Sequence, residues 1–147
     1  MNPSEPDKTM NPASTPPALQ AVDHIHIHVT DRPKAERWYR EVLGFTRVPE
    51  LERWTADHGP LTLRNAGGTI HLALFERPAQ PSRTTIAMRV TAPDFLAWRT
   101  HLAQALGRPM QAEDHEVSWS LYFVDPDGNP YEITSYEYED LRSRLQA

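Results

Sequence analysis

The chain has 147 residues, seven of them histidine and none cysteine, with 20 acidic against 15 basic side chains and a net charge of -5. That length supports one domain with its own core, or two small modules sharing one, and argues against two full domains. The charge balance makes nucleic acid and anionic membrane poor partners, and the missing cysteine excludes disulfides, thiolate metal sites and a cysteine nucleophile.

No apolar run approaches the ~20 residues of a membrane helix, and the amino terminus lacks the basic-then-apolar pattern of a secretory signal. The expected compartment is the cytoplasm. Residues 1–20 hold five of the fourteen prolines among serine, threonine and asparagine, which predicts a flexible tail. Next, Asp23-His24-Ile25-His26-Ile27-His28-Val29 alternates imidazole with branched aliphatic residues at a period of two, the signal of a strand. Ile25, Ile27 and Val29 then face a core, while His24, His26 and His28 share the opposite side. On the residues alone, that side is equally a solvated face or a functional one.

A helix follows, with Thr30 or Asp31 as N-cap, Pro33 in its first turn and Gly44 past its end. Its apolar stripe is Ala35, Trp38, Tyr39, Val42 and Leu43. Phe45–Pro49 and Leu61–Asn65 are predicted strands, and Ala66-Gly67-Gly68 a turn into a strand over Thr69–Glu76, where His71, Ala73 and Phe75 share a face. Trp54 and His58 fall in a segment without periodicity, and Pro78–Ser82 is a predicted linker.

The second half repeats the first. Thr85–Val90 is a predicted strand; Thr91 caps a helix with Pro93 in its first turn, the stripe Phe95, Trp98, Leu102, Ala105 and Leu106, and Gly107 at its end. Strands are predicted at Met110–Gln111, Trp119–Val124 and Pro130–Tyr136, the last two joined by the turn Asp125-Pro126-Asp127-Gly128. Matching elements lie about sixty residues apart, the mark of a duplicated unit. The predicted fold is α+β: paired βαβββ modules, at about 21–78 and 83–138, forming a curved, partly closed mixed sheet with helices outside. A short helical tail is expected over 139–147.

Several of these residues resemble the vicinal oxygen chelate superfamily, which includes glyoxalase I, fosfomycin-resistance thiol transferases, bleomycin-binding proteins and extradiol dioxygenases. They are His24 in Asp23-His24-Ile25, Trp38-Tyr39, Leu43-Gly44-Phe45, Ile86-Ala87-Met88, and Phe123-Val124-Asp125-Pro126-Asp127-Gly128 followed by Glu132. The resemblance spans about Ala21 to Tyr138. It implies the same fold and up to four strand positions around a divalent metal, here His24, His71, Thr85 and Glu132. Three of these can coordinate. Thr85 departs from the pattern, because a histidine is usual there in the ring-cleaving and fosfomycin members, where the position of His71 is the non-coordinating one.

Two imidazoles and one carboxylate suit Fe2+ or Mn2+, and also a catalytic Zn2+. The resemblance further implies substrate contacts from His28, Thr85, Ser120 and Tyr122; proton movement is expected through Tyr122, through His26 deeper along the first strand, or through His115 in the polar segment before Trp119. A homodimer is expected, with ligands drawn from one chain or from both. The reaction expected first is a dioxygenase-like oxidation of a small substrate that chelates the metal through adjacent oxygens. One alternative is a glyoxalase-like lyase or fosfomycin-type thiol transferase, the ion acting as Lewis acid on an epoxide, phosphonate or hemithioacetal. Another is metal-free drug binding of the bleomycin-resistance kind.

Overall fold

A computed structural model describes residues 15–146 apart from 57, 79 and 81. Most of the predicted tail, and two positions of the predicted linker, therefore lie outside the described residues. No described helix is long and apolar enough to cross a membrane.

Two four-stranded sheets form, each built in the same way. In the first, β1 (Ile25–Val29) runs parallel to β4 (His71–Glu76), which pairs antiparallel with β3 (Leu61–Arg64), and β3 with β2 (Thr46–Arg47). In the second, β5 (Ile86–Arg89) runs parallel to β8 (Pro130–Ser135), followed by β7 (Trp119–Val124) and β6 (Glu113–Asp114). The strand orders are β1-β4-β3-β2 and β5-β8-β7-β6. Parallel pairs need long crossovers. Those crossovers carry the helices α1 (Arg32–Trp38) and α2 (Ala92–Leu106).

Helix ends follow the local chemistry of the sequence. Asp31 accepts from the Lys34 amide at 3.0 Å and Thr91 from the Asp94 amide at 3.4 Å, capping the two starts. Gly44 (φ 73°) and Gly107 (φ 67°) close the two ends in the left-handed region. Between Trp38 and Gly44 the first helix widens into a π turn over Tyr39–Leu43, which lets Tyr39, Val42 and Leu43 all point inward. The Val42 carbonyl meets His101 Nε2 of α2 at 2.7 Å.

Three predicted elements differ. The strand expected over Phe45–Pro49 shortens to Thr46–Arg47, because Phe45 is drawn into the core and Pro49 starts a 3-10 helix over Pro49–Thr55. That helix occupies the segment around Trp54. No strand forms at Met110–Gln111: Met110 is buried, its carbonyl accepting from Arg99 Nε at 2.9 Å, and the edge strand sits at Glu113–Asp114. The last helix, α3 (Tyr138–Leu145), starts earlier than its predicted tail.

Both sheets and the helices contribute to one core. Ile27, Val29, Leu63, Leu72 and Leu74 of the first sheet share a single core with Leu121, Phe123, Tyr131 and Ile133 of the second and with Tyr39, Phe95 and Leu102 from the helices. Burying each large aliphatic side chain contributes about 1.5–3 kcal/mol. Trp38 reaches across, its ring 6.4 Å from Phe123 and 6.5 Å from Tyr131. On the opposite faces, His24, His26 and His28 of one sheet and Tyr122 of the other are exposed and Glu132 is half-buried. The two sheets are not joined edge to edge by hydrogen bonds.

A buried polar network fixes the modules against each other. The Tyr39 hydroxyl donates to Asp125 Oδ2 at 2.6 Å and lies 2.8 Å from the Tyr131 hydroxyl. Asp125 Oδ1 accepts from the amides of Asp127 (2.9 Å) and Asn129 (2.8 Å). The Asn129 amide group donates to Asp125 Oδ2 at 2.8 Å and to the His28 carbonyl at 3.0 Å, so the turn of the second module holds the first strand. Burial, above all, raises the Tyr39 and Tyr131 hydroxyls well above the ordinary tyrosine pKa, keeping both as donors.

Candidate metal and substrate site

Pleating of β1 puts His24, His26 and His28 on one face, as the alternation predicts. His24 Nδ1 lies 2.7 Å from Asp23 Oδ2, and its Nε2 lies 3.0 Å from His26 Nε2, the rings stacked at 5.0 Å. Phe75 of β4 supports the His26 ring at 4.7 Å and meets His28 edge-on at 6.5 Å. The β1–β4 register sets Ile25 beside Leu72, which brings His71 next to His24. Both line a cavity of about 240 Å³, closed on its far side by Ala87 and Arg89 of β5. A groove of about 410 Å³ between Val42 and Trp98 is larger. It lies on the helical side and does not include the imidazoles of His24 and His71.

On the second sheet Glu132 sits opposite Tyr122 and beside Ala87. Its Oε1 accepts from the buried Ser120 hydroxyl at 2.5 Å, and Ser120 Oγ lies 3.1 Å from Thr134 Oγ1. The Tyr122 hydroxyl is 2.9 Å from His115 Nε2. Partial burial, and then the negative charge of Glu132, raises the Tyr122 pKa, so the phenol keeps its proton at neutral pH. His115 lies in the turn between β6 and β7, where Glu116 takes a left-handed φ of 69° and the His115 amide bonds the Ser118 carbonyl at 2.9 Å. The loop thereby aims the imidazole at Tyr122.

The structure thus gathers the sequence-predicted residues in two groups: His24, His26, His28 and His71 on one sheet, and Ser120, Tyr122, His115 and Glu132 on the other. It does not unite them within the chain. Among the described residues, no three His, Cys, Asp or Glu side chains gather where one metal ion could bind. Thr85 lies just before β5 and is exposed. Two contributors escaped the sequence reading. Asp23 orients His24, a contact foreshadowed only by adjacency. Arg89 shares its strand face with Ala87, and its guanidinium stacks 5.2 Å over the Tyr136 ring. Two-residue parity from Ala87 is the signal that could have found it.

Residues 21–133 match the family model described as the Glyoxalase/Bleomycin resistance protein/Dioxygenase superfamily. The chain belongs to this superfamily. The metallothiol transferase FosB of Staphylococcus haemolyticus is 29% identical over 133 residues, covering 85% of this chain and 90% of that protein. Among solved structures, the fosfomycin resistance protein FosX from Listeria monocytogenes, complexed with Mn(II) and sulfate, superposes with a TM-score of 0.61 at 16% identity, covering 87% of this chain and 99% of FosX. A glyoxalase/bleomycin resistance protein/dioxygenase domain from Frankia sp. EAN1pec gives a TM-score of 0.64 at 22% identity, covering 82% and 94%. The paired mixed sheets with their crossover helices are the fold of these relatives.

Proposed function

We propose that this superfamily member is a metal-dependent thiol transferase acting on a small electrophile, an epoxide or related phosphonate, that offers adjacent oxygens to the ion. The observation that carries this reading is the similarity to a metallothiol transferase along 85% of the chain. It favours the transferase alternative over the ring-oxidising reaction expected first from the sequence. The hydroxyl, phenol and imidazole ordered around Glu132 support it.

The donor set fits a divalent ion. His24 is held by Asp23 in the manner of a metal-ligating imidazole, and Glu132 is oriented by Ser120. His24, His71 and Glu132 would hold the ion, with Fe2+ or Mn2+ favoured and Zn2+ suitable. His24 and His71 line one cavity, Glu132 lies on the other sheet outside that lining, and no three such side chains gather among the described residues, so on this reading a second copy completes the site. His24 and His71 of one protomer then face the carboxylate of its partner. The bound ion would supply Lewis-acid polarisation of a substrate oxygen.

The remaining chemistry belongs to the chain. The thiol gives its proton to water as it becomes a thiolate; as its sulfur bonds to carbon and the carbon–oxygen bond of the substrate breaks, the Tyr122 phenol gives its proton to the released oxygen. His115, 2.9 Å from the phenol, relays one proton from water back to Tyr122, so the proton lost by the thiol equals the one gained by the new hydroxyl. On this reading His28 and Thr85 contact substrate.

The test is incubation of the Mn2+-loaded protein with fosfomycin and a thiol panel of cysteine and glutathione, followed by free-thiol loss and mass spectrometry of the adduct. Adduct formation is expected, with kcat falling about 10²–10⁴-fold in Tyr122→Phe, the range for losing a general acid. Oxygen uptake with catechols and no adduct would return the reaction to the ring-oxidising class. A purified protein without metal affinity would leave only drug binding.

A further inference from the structure

We propose that the head of β1, with the residue just before it, carries a two-histidine metal chelate, formed by His24 Nε2 and His26 Nε2 and oriented by Asp23. The inference goes beyond the shared site proposed above, because the pair needs neither Glu132 nor a second copy. It also gives His26 a specific role, as the second nitrogen donor beside His24.

Three observations carry it. First, the pleat sets residues i and i+2 on the same face, and the two Nε2 atoms are 3.0 Å apart. Two nitrogens bound to one ion at about 2.1 Å each stand roughly 3.0–3.4 Å from each other, so the pair already has ligand spacing. Second, His24 Nδ1 donates to Asp23 Oδ2 at 2.7 Å, which fixes the tautomer and leaves the lone pair on Nε2, the atom facing His26. Carboxylate behind imidazole is the arrangement that orients metal-bound histidines. Third, the two rings are stacked and His26 rests on Phe75 at 4.7 Å, so the pair is preorganised by packing. Both residues are exposed, and His24 opens onto the cavity that His71 lines, which gives an ion access. Without an ion, the same two nitrogens share a single proton; with one, the ion takes that proton's place and His26 turns its other nitrogen into the donor.

The test uses the full chain and Zn2+ alone, by calorimetric titration of wild type, His24→Ala, His26→Ala, His26→Gln, Asp23→Asn and Glu132→Gln, with fold checked by circular dichroism. Nitrogen-15 spectra of the histidine rings report which nitrogen meets the ion. We expect each substitution of His24 or His26 to weaken Zn2+ binding at least tenfold. Asp23→Asn should weaken it about 10–100-fold, the range for such supporting carboxylates. The Nε2 resonances of both rings should shift on Zn2+ addition. Unchanged affinity in both His26 variants, or a shift confined to the His24 ring, overturns the chelate and leaves His26 as a hydrogen-bond partner. Loss in the His26 variants with wild-type affinity in Glu132→Gln upholds the chelate while removing the shared metal site. The reverse pattern upholds the shared site and removes the chelate. Zn2+ binding absent from every form also overturns the chelate.

Discussion

Replacing Tyr39 by Phe removes one hydroxyl from the centre of the network that joins the two modules. The ring is fully buried, so its packing against Trp38 and Tyr131 is retained and no large cavity opens. What is lost is the 2.6 Å bond to Asp125 Oδ2 and the 2.8 Å contact with the Tyr131 hydroxyl. Asp125 keeps three donors, two backbone amides and the Asn129 side chain, so the carboxyl is weakened rather than stranded. A hydrogen bond to a carboxylate contributes about 1.5–3 kcal/mol, and the expected loss is about 2 kcal/mol. For a chain of this size that corresponds to a Tm lower by roughly 4–8 °C. Urea unfolding followed by circular dichroism measures it, and Tyr131→Phe, which leaves the Tyr39–Asp125 bond intact, should cost about half as much. A Tyr39→Phe loss below about 0.5 kcal/mol, within the range of an ordinary surface change, would refute the role given to this contact.

The same network predicts an alkaline limit. The folded-state pKa values of Tyr39 and Tyr131 are raised above the unfolded value near 10, so the stability they contribute is fully present below that pH and is lost as pH rises above it. The urea midpoint should fall above about pH 10, and less steeply in Tyr39→Phe. Ser120→Ala removes the donor that orients Glu132, and should weaken Mn2+ binding about 10–100-fold in a calorimetric titration; unchanged affinity would separate Glu132 from the ion.

The sequence showed most clearly what local chemistry decides. Asp31, Pro33 and Gly44, and Thr91, Pro93 and Gly107, bracket the two helices because caps and left-handed closures depend on a few adjacent residues. The faces of β1 and β4 follow from two-residue parity, so His24, His26 and His71 lie where the alternation puts them. The π turn at Tyr39–Leu43 was hidden. A stripe at helical spacing is the same for both helix types, and the Val42 carbonyl is met by His101, 59 residues away. Short edge strands were hidden too, since a pair of residues carries no usable period. The relation of His24 to Glu132 was the largest gap. It is governed by contacts such as Tyr39 to Asp125, 86 residues apart, which no local pattern encodes.

Duplication has left two modules with one topology and divided chemistry. The first presents imidazoles from β1 and β4, and the second a carboxylate, a hydroxyl and a phenol from β7 and β8. The expected ligands His24, His71 and Glu132 are thereby divided between the two modules. The network around Asp125 ties the two modules together. Tyr122 (42% exposed), Val124 (52%) and Tyr136 (61%) leave apolar surface on or beside the Glu132 face, which covering would remove from water. On the proposed reading, two copies related by a twofold axis set the imidazole face of each against the carboxylate face of the other. One self-complementary contact then completes two equivalent sites at once. The arrangement ties metal affinity to protomer concentration, so dilution below the dimer dissociation constant should release Mn2+ together with the partner. Retention of Mn2+ by a dilute monomer would instead assign the ion to residues of one chain, of which the His24–His26 pair is the set already at ligand spacing.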